Sequence, residues 1–180
     1  EDKLALLILK SFFEVIIAPS ISQTAMQIFK SKEKLRVLIS EEIFSSNKND
    51  KELDIKNING GYLIQTKDFI DSKNIFSNVV TQKKPTSSEI EDLMFAWKVS
   101  HWIKSNAIVF CKSKKTLGIG AGQMSRIDAV KIAAIKAKEA SKPLKDSVVA
   151  SDAFFPFKDS VDILASEGAS CIIQPGGSIR

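Results

Sequence analysis

A single histidine, His101, stands in the whole sequence, beside Trp102 in "SHWIKS" and with no acidic residue or second histidine at ligand spacing. Hydrolysis of the Ser–His–Asp type would have to use it, and no G-x-S-x-G is present to supply the nucleophile. His101 therefore reads as a helix residue. The two cysteines, Cys111 and Cys171, lie in separate apolar runs, and neither C-x-x-C nor H-x-E occurs, so no zinc site is expected. They read as buried free thiols of a reducing compartment. No apolar run approaches the ~18 residues of a membrane span. The opening "EDKLALLILKSFFE" is acidic where a signal peptide is basic. The expectation is a cytoplasmic protein with no membrane partner. The net charge of +5 and pI near 9.1 come from scattered lysines, without a basic stripe interleaved with aromatics. No nucleic-acid partner is expected.

What is present is an ordinary globular composition, 44% hydrophobic, long enough at 180 residues for one domain or one lobe of a larger one. Helical spacing over 3–13 leads to a strand "VIIAPS", a helix "SQTAMQIFKSK" and a strand "LRVLI". Residues 40–60 read as a polar surface excursion ending in "NINGG", before the strand "YLIQ". Pro85 and the pattern Ser88-x-x-Glu91 announce a helix over 88–104, with Ile90, Leu93, Met94, Trp97 and Trp102 on its apolar face. Two strands, "NAIVFCK" and "TLGIGAG", follow with a lysine-rich turn between them. A helix then starts near Ser125, and the chain closes with "DSVVASD", a short helix stopping at Gly168, and "CIIQP". Strands alternating with helices predict an α/β fold. The chain opens without Met inside an amphipathic pattern and ends at "GGSIR" without a cap, as a segment of a longer protein would.

Three stretches could carry chemistry. "GIGAGQ" at 118–123 has Gln123 where a dinucleotide-binding turn needs its third glycine, and no acidic residue ends a strand downstream. Two readings remain for it: backbone approach to a ligand with Arg126 in the next helix's first turn, or close strand packing with a solvated arginine. Asn106, at the start of a strand, either presents its amide beside that turn or caps a helix end. "SDAFFPFKD" at 151–159 sets three phenylalanines around Pro156, which bars a helix or central strand and makes the stretch a strand-to-helix junction. In α/β proteins ligands bind at such junctions.

"KSNAIV", "IGIGAGQMSR", "IAAIKAKEA", "ASDAFFPFKDSVD" and "CIIQPGGSIR", with "EVIIAPS" and "NGG" upstream, closely resemble the transformylase half of the AICAR transformylase/IMP cyclohydrolase family. The resemblance runs from about residue 10 to the end and is densest from 98 onward. It implies a layered α/β/α lobe with a mixed sheet, cytidine-deaminase-like but without zinc, as one lobe over 1–180. The family's N-terminal lobe, cyclohydrolase domain and C-terminal tail would lie outside these residues.

The implied reaction is formyl transfer from the co-substrate 10-formyltetrahydrofolate to the 5-amino group of the nucleotide AICAR, in purine biosynthesis. Asn106 and Arg126 would hold the carboxamide and the reacting centre, with Asn106 the catalytic one of the two. The backbone at Phe154 would help to fix the carboxamide, and Ile127, Pro156, Phe157 and Asp159 would line the folate pocket. A potassium ion is allowed and a homodimer with composite sites is implied. The family's proton-transferring lysine–histidine pair belongs to the N-terminal lobe, so residues 1–180 alone are expected to be inactive. The second reading is a stand-alone nucleotide- or folate-binding module without catalysis. For Asp159 the competing role is a cap on the helix that follows.

Overall fold

The computed structural model describes residues 2–41, 52–68, 70 and 78–178. They fall into two compact units that meet in sequence at Lys67–Asp68.

In the first unit, helix α1 (Asp2–Leu9), strand β1 (Val15–Ala18), helix α2 (Gln23–Phe29) and strand β2 (Arg36–Ile39) alternate. Ser22 starts α2 by accepting the Ala25 amide at 3.1 Å. β1 and β2 pair in parallel, and Ala5, Ala25 and Phe29 form the core with Ile16 and Val37 packed against it. The expected polar excursion over 40–60 needs correction where it is described: Leu53–Ile58 is a strand, β3, pairing antiparallel with β4 (Gly61–Thr66). Residues 42–51 of that excursion lie outside the described residues. The signal was the Asn59-Gly60 turn between alternating apolar positions, with Gly60 at φ +84°.

The second unit is a three-layer sandwich. Its sheet runs β6 (Lys115–Gly120), β5 (Ile108–Lys112), β7 (Ser147–Ser151), β8 (Ala169–Ile173), antiparallel except for the parallel β7–β8 pair. Alternation along the strands sends Ile108, Phe110 and Val149 to one face, under helix α4 (Arg126–Glu139) and helix α5 (Lys158–Ser166). Val109, Cys111, Val148 and Ala150 go to the other, under helix α3 (Ser87–Trp102). The mixed sheet and α/β class are those expected. α4 lies so close to β6 that a Cβ on Gly118 or Gly120 would overlap the carbonyl of Ala133 or Ala129. The glycines of "GIGAG" within β6 thus serve strand–helix packing, as one of the two readings held.

Helix α3 starts one residue earlier than the expected 88–104, and its capping box lies two residues before the Ser88/Glu91 pattern. Thr86 is its cap: the Thr86 amide donates to Glu89 at 2.8 Å and the Glu89 amide to the Thr86 hydroxyl at 3.3 Å. Both boxes fit the sequence rule; Glu89 prevails because Ser170 of β8 also donates to it, at 2.7 Å. Trp102, expected on the apolar face, is 81% exposed, and Asp92, Leu93, Ala96 and Ser100 are the buried positions.

The Thr86 amide, then the Ser170 and Thr86 hydroxyls, hold the Glu89 carboxyl down from its ordinary 4.5 to about 2. A depressed carboxyl stabilises the fold above its unfolded pKa and loses that contribution as pH falls. Between pH 4.5 and 2 the protein should lose on the order of 1–2 kcal/mol through this group, allowing for solvent screening. Glu89→Gln should flatten that limb of the stability curve, measured as denaturant midpoints across the window. An unchanged acid limb would refute it.

Cys111 is buried, as expected, whereas Cys171 is only half-buried, and both are free. Each pairs with Val148, one on β5 and one on β8, so they stand two strand spacings apart, out of disulfide reach. Burial, aided by Asp92, pushes the Cys111 thiol up to about 11.

Candidate functional site

The antiparallel β5–β7 and β5–β6 pairings bring the start of β5, the end of β6 and the end of β7 to one end of the sheet. The peptide before Asn106 is cis, and the Asn106 amide N–H donates to the Gln123 carbonyl at 3.2 Å. Ser125 caps α4 by accepting the Asp128 amide at 3.2 Å, which sets Arg126 as the first residue of that helix. Its side chain turns inward and is 10% exposed.

There Arg126 Nη1 donates to Ser151 Oγ at 2.9 Å and to Asp152 Oδ1 at 2.5 Å, while Nη2 donates to Asn106 Oδ1 at 2.9 Å. Asn106 Nδ2 donates to the Gln123 carbonyl at 2.8 Å, so donor and acceptor ends of the amide are both assigned by their partners. Asp152 also accepts the Ala107 amide at 2.9 Å. Burial pushes the Asp152 carboxyl up, but the hydrogen bonds from Ser105, Arg126 and the Ala107 amide, with the Arg126 charge, outweigh it and hold it below the usual range. The solvated-arginine reading of Arg126 is thereby corrected, and Asn106 caps no helix. Its amide stands beside the glycine turn, the other role considered for it.

The guanidinium keeps an N–H on Nη2 and one on Nε without a partner among the described residues, and Asn106 keeps one N–H and an oxygen lone pair. The cluster can therefore offer a ligand two kinds of donor and one acceptor within one small area. Ser151, Asp152 and Gln123 had no role in the sequence reading. Nothing periodic links positions so far apart in sequence.

The stretch 151–159 is the expected junction, between β7 and α5, but its three phenylalanines do not act together. Phe155 is 5% exposed and belongs to the core, whereas Phe154 is 41% and Phe157 69% exposed. Pro156 and Asp159 are exposed and Ile127 is half-buried in the first turn of α4. Asn106 and Arg126 are in direct contact; Phe154, Pro156, Phe157 and Asp159 follow Asp152 along the loop. Phe157 is the cap position of α5 and makes no capping bond, while Asp159 Oδ1 accepts only the adjacent Ser160 amide, at 2.7 Å. His101 lies 3.2 Å from Asp68, which is distant in sequence, and edge-on to Trp102.

A cavity of about 300 Å³ lies at the opposite end of the sheet, beside Thr86, Glu89, Asp92 and Lys112. Its acids are already engaged: Glu89 as above, Asp92 by the Ser113 and Lys114 amides at 2.8 and 2.6 Å, and Asp146 by the Lys112 ammonium at 3.8 Å. The candidate site is therefore the Arg126 end. Among the described residues no helix is long and apolar enough to cross a membrane, and no three His, Cys, Asp or Glu side chains converge as a metal cluster.

Amide, guanidinium and carboxylate groups gathered at one strand end of an open α/β sheet make an arrangement of the kind at which α/β proteins bind small polar ligands. The family model described as the AICARFT/IMPCHase bienzyme matches residues 1–136, and the chain belongs to that family. The match includes Asn106 and Arg126 and places the chain among the enzymes of purine biosynthesis.

Proposed function

We propose that these residues form part of the site in which 10-formyltetrahydrofolate gives its formyl group to the 5-amino group of AICAR. The observation that carries the reading is the unspent hydrogen-bonding capacity of the Asn106–Arg126 pair. A carboxamide presents an acceptor oxygen and an N–H₂ donor, and the pair offers N–H donors and one lone pair in return. Arg126 is itself fixed by Ser151 and Asp152, so its donors are preorganised.

In this reading the AICAR amine, whose lone pair is delocalised into the ring, attacks the formyl carbon. The bond from that carbon to the folate nitrogen breaks, and the proton lost by the amine goes to the departing nitrogen. Asn106 and Arg126 orient the carboxamide beside the amine, aided by the Phe154 backbone. Ile127, Pro156, Phe157 and Asp159 supply the folate side, with Phe157 and Asp159 exposed to receive an apolar ring and its amino edge. No proton-transfer role falls to a residue of 1–180. The resemblance to the family also allows a potassium ion. A homodimer with shared sites in the cytoplasm belongs to the same reading.

The test is formyl transfer by the natural protein that carries this sequence. Asn106→Ala should lower kcat/KM by roughly a hundred-fold or more, as expected where a preorganised polar contact to the reacting region is lost. Asp159→Asn keeps the acceptor that the Ser160 amide uses but removes the charge, so stability should stay put while the folate KM or kcat worsens roughly ten-fold. Unchanged folate kinetics in that variant would remove Asp159 from the site. Absence of formyl transfer in the unsubstituted protein would overturn the whole reading.

A further inference from the structure

The loop that carries Phe154 has no strand beside it, yet both backbone polar groups of Phe155 are matched. Gln174, just past β8, accepts the Phe155 N–H on its Oε1 at 2.8 Å. Its Nε2 donates to Ser178 Oγ at 3.1 Å, and Ser178 Oγ in turn donates to the Phe155 carbonyl at 3.1 Å. Two side chains thus do for one residue what a neighbouring strand would do, and they brace each other in a closed ring of hydrogen bonds. Between them the backbone passes under the adjacent aromatic ring. Gly177, at φ +120°, lies so close that a Cβ there would stand 3.3 Å from Phe154 Cδ1.

The loop is therefore held twice. Its start is fixed where Asp152 takes Arg126 and the Ala107 amide, and its middle where Phe155 takes Gln174 and Ser178, with the Phe155 ring driven into the core. Ala153 and Phe154 lie between these anchors, the Phe154 ring 41% exposed and backed by Gly177. Pro156, which follows, has no N–H to tie down.

We propose that Gln174 is a positioning residue of the transformylase site, setting the Phe154–Phe155 backbone and the exposed Phe154 ring through its carboxamide. The inference rests on the reading of this loop as the ligand wall. Glutamine is suited to the task because one side chain both accepts from the loop and donates to Ser178, fixing the direction of the Ser178 hydroxyl toward the Phe155 carbonyl.

The experiment compares Gln174→Leu and Gln174→Glu in the natural protein by formyl-transfer kinetics, thermal melting and amide hydrogen exchange over residues 151–158. Leucine removes both bonds, and glutamate keeps the acceptor for the Phe155 amide. Gln174→Leu should raise exchange across the loop and lower kcat/KM for both substrates roughly ten-fold, the scale of one lost hydrogen bond to a buried amide. Gln174→Glu should recover most of that loss, which a merely space-filling role would not allow. Unchanged exchange in Gln174→Leu would overturn the clasp whatever the kinetics. Faster exchange with unchanged kinetics, or a glutamate variant no better than leucine, would overturn the positioning role. If the unsubstituted protein transfers no formyl group, the proposed function fails, and the exchange data still judge the clasp.

Discussion

Arg126→Met should cost this protein both a large part of its stability and its ligand recognition. The guanidinium is 10% and the Asp152 side chain 16% exposed, so removing the cation leaves a carboxylate with little water and only the Ala107 amide and Ser105 around it. Breaking one partner out of a buried pair costs about 3–5 kcal/mol. At this chain length that is a fall in Tm of roughly 6–20 °C. Asn106 loses the donor that fixes its oxygen at the same time, so kcat/KM for formyl transfer should drop by roughly a hundred-fold or more. Arg126→Lys should rescue little, because a point charge cannot reach Ser151, Asp152 and Asn106 from a single nitrogen as the fork does.

The pH dependence gives an independent check. The Asp152 carboxyl is held low in the fold, so its stabilisation is full above the ordinary aspartate range and fades as pH falls below it. The stability gap between parent and Arg126→Met should therefore narrow on acidification. The double variant Arg126→Met/Asp152→Asn should recover part of the loss at neutral pH. Melting curves at pH 7 and in acid decide this: equal Tm values for parent and Arg126→Met at pH 7 would mean that the pair does not stabilise the fold.

Gly120→Ala should be nearly as damaging, for a different reason. The added methyl would overlap the carbonyl of Ala129, a backbone atom in the first turns of α4 that no rotamer change can move aside. Either α4 lifts from the sheet or β6 bends, and overpacking of this kind costs about 3 kcal/mol or more when backbone must shift. Arg126 heads the same helix, so the displacement should also part it from Asn106 and lower activity beyond what the melting temperature explains. Gly61→Ala is the control. Nothing lies within 4 Å of its added methyl, and its effect should stay within about 0.5 kcal/mol. A Gly120→Ala protein as stable as Gly61→Ala would show that α4 and β6 are not in such close contact.

The alternation of strand and helix, the Ser125 start of α4, the stop of α5 at Gly168 and the junction at Pro156 were all determined by the sequence itself. Each depends on neighbours within a turn or two, where periodicity, capping side chains and the fixed φ of proline act directly. The residue strings that mark the family are local in the same sense, and Asn106 and Arg126 lie within them. The strand at Leu53–Ile58 was also written locally, in Asn59-Gly60 and the alternation before it, although its polar residues masked it.

Other features depended on which elements meet. The choice of Thr86 and Glu89 over Ser88 and Glu91 was settled by Ser170 from β8, and the inward turn of Phe155 beside the outward Phe154 and Phe157 by the core under α4 and α5. The pairing of Arg126 with Asp152, and of Gln174 with Phe155, follows from strand register and from the order β6-β5-β7-β8. No periodicity along the chain encodes those distances, because they are fixed by sheet pairing between segments that local propensity treats as independent.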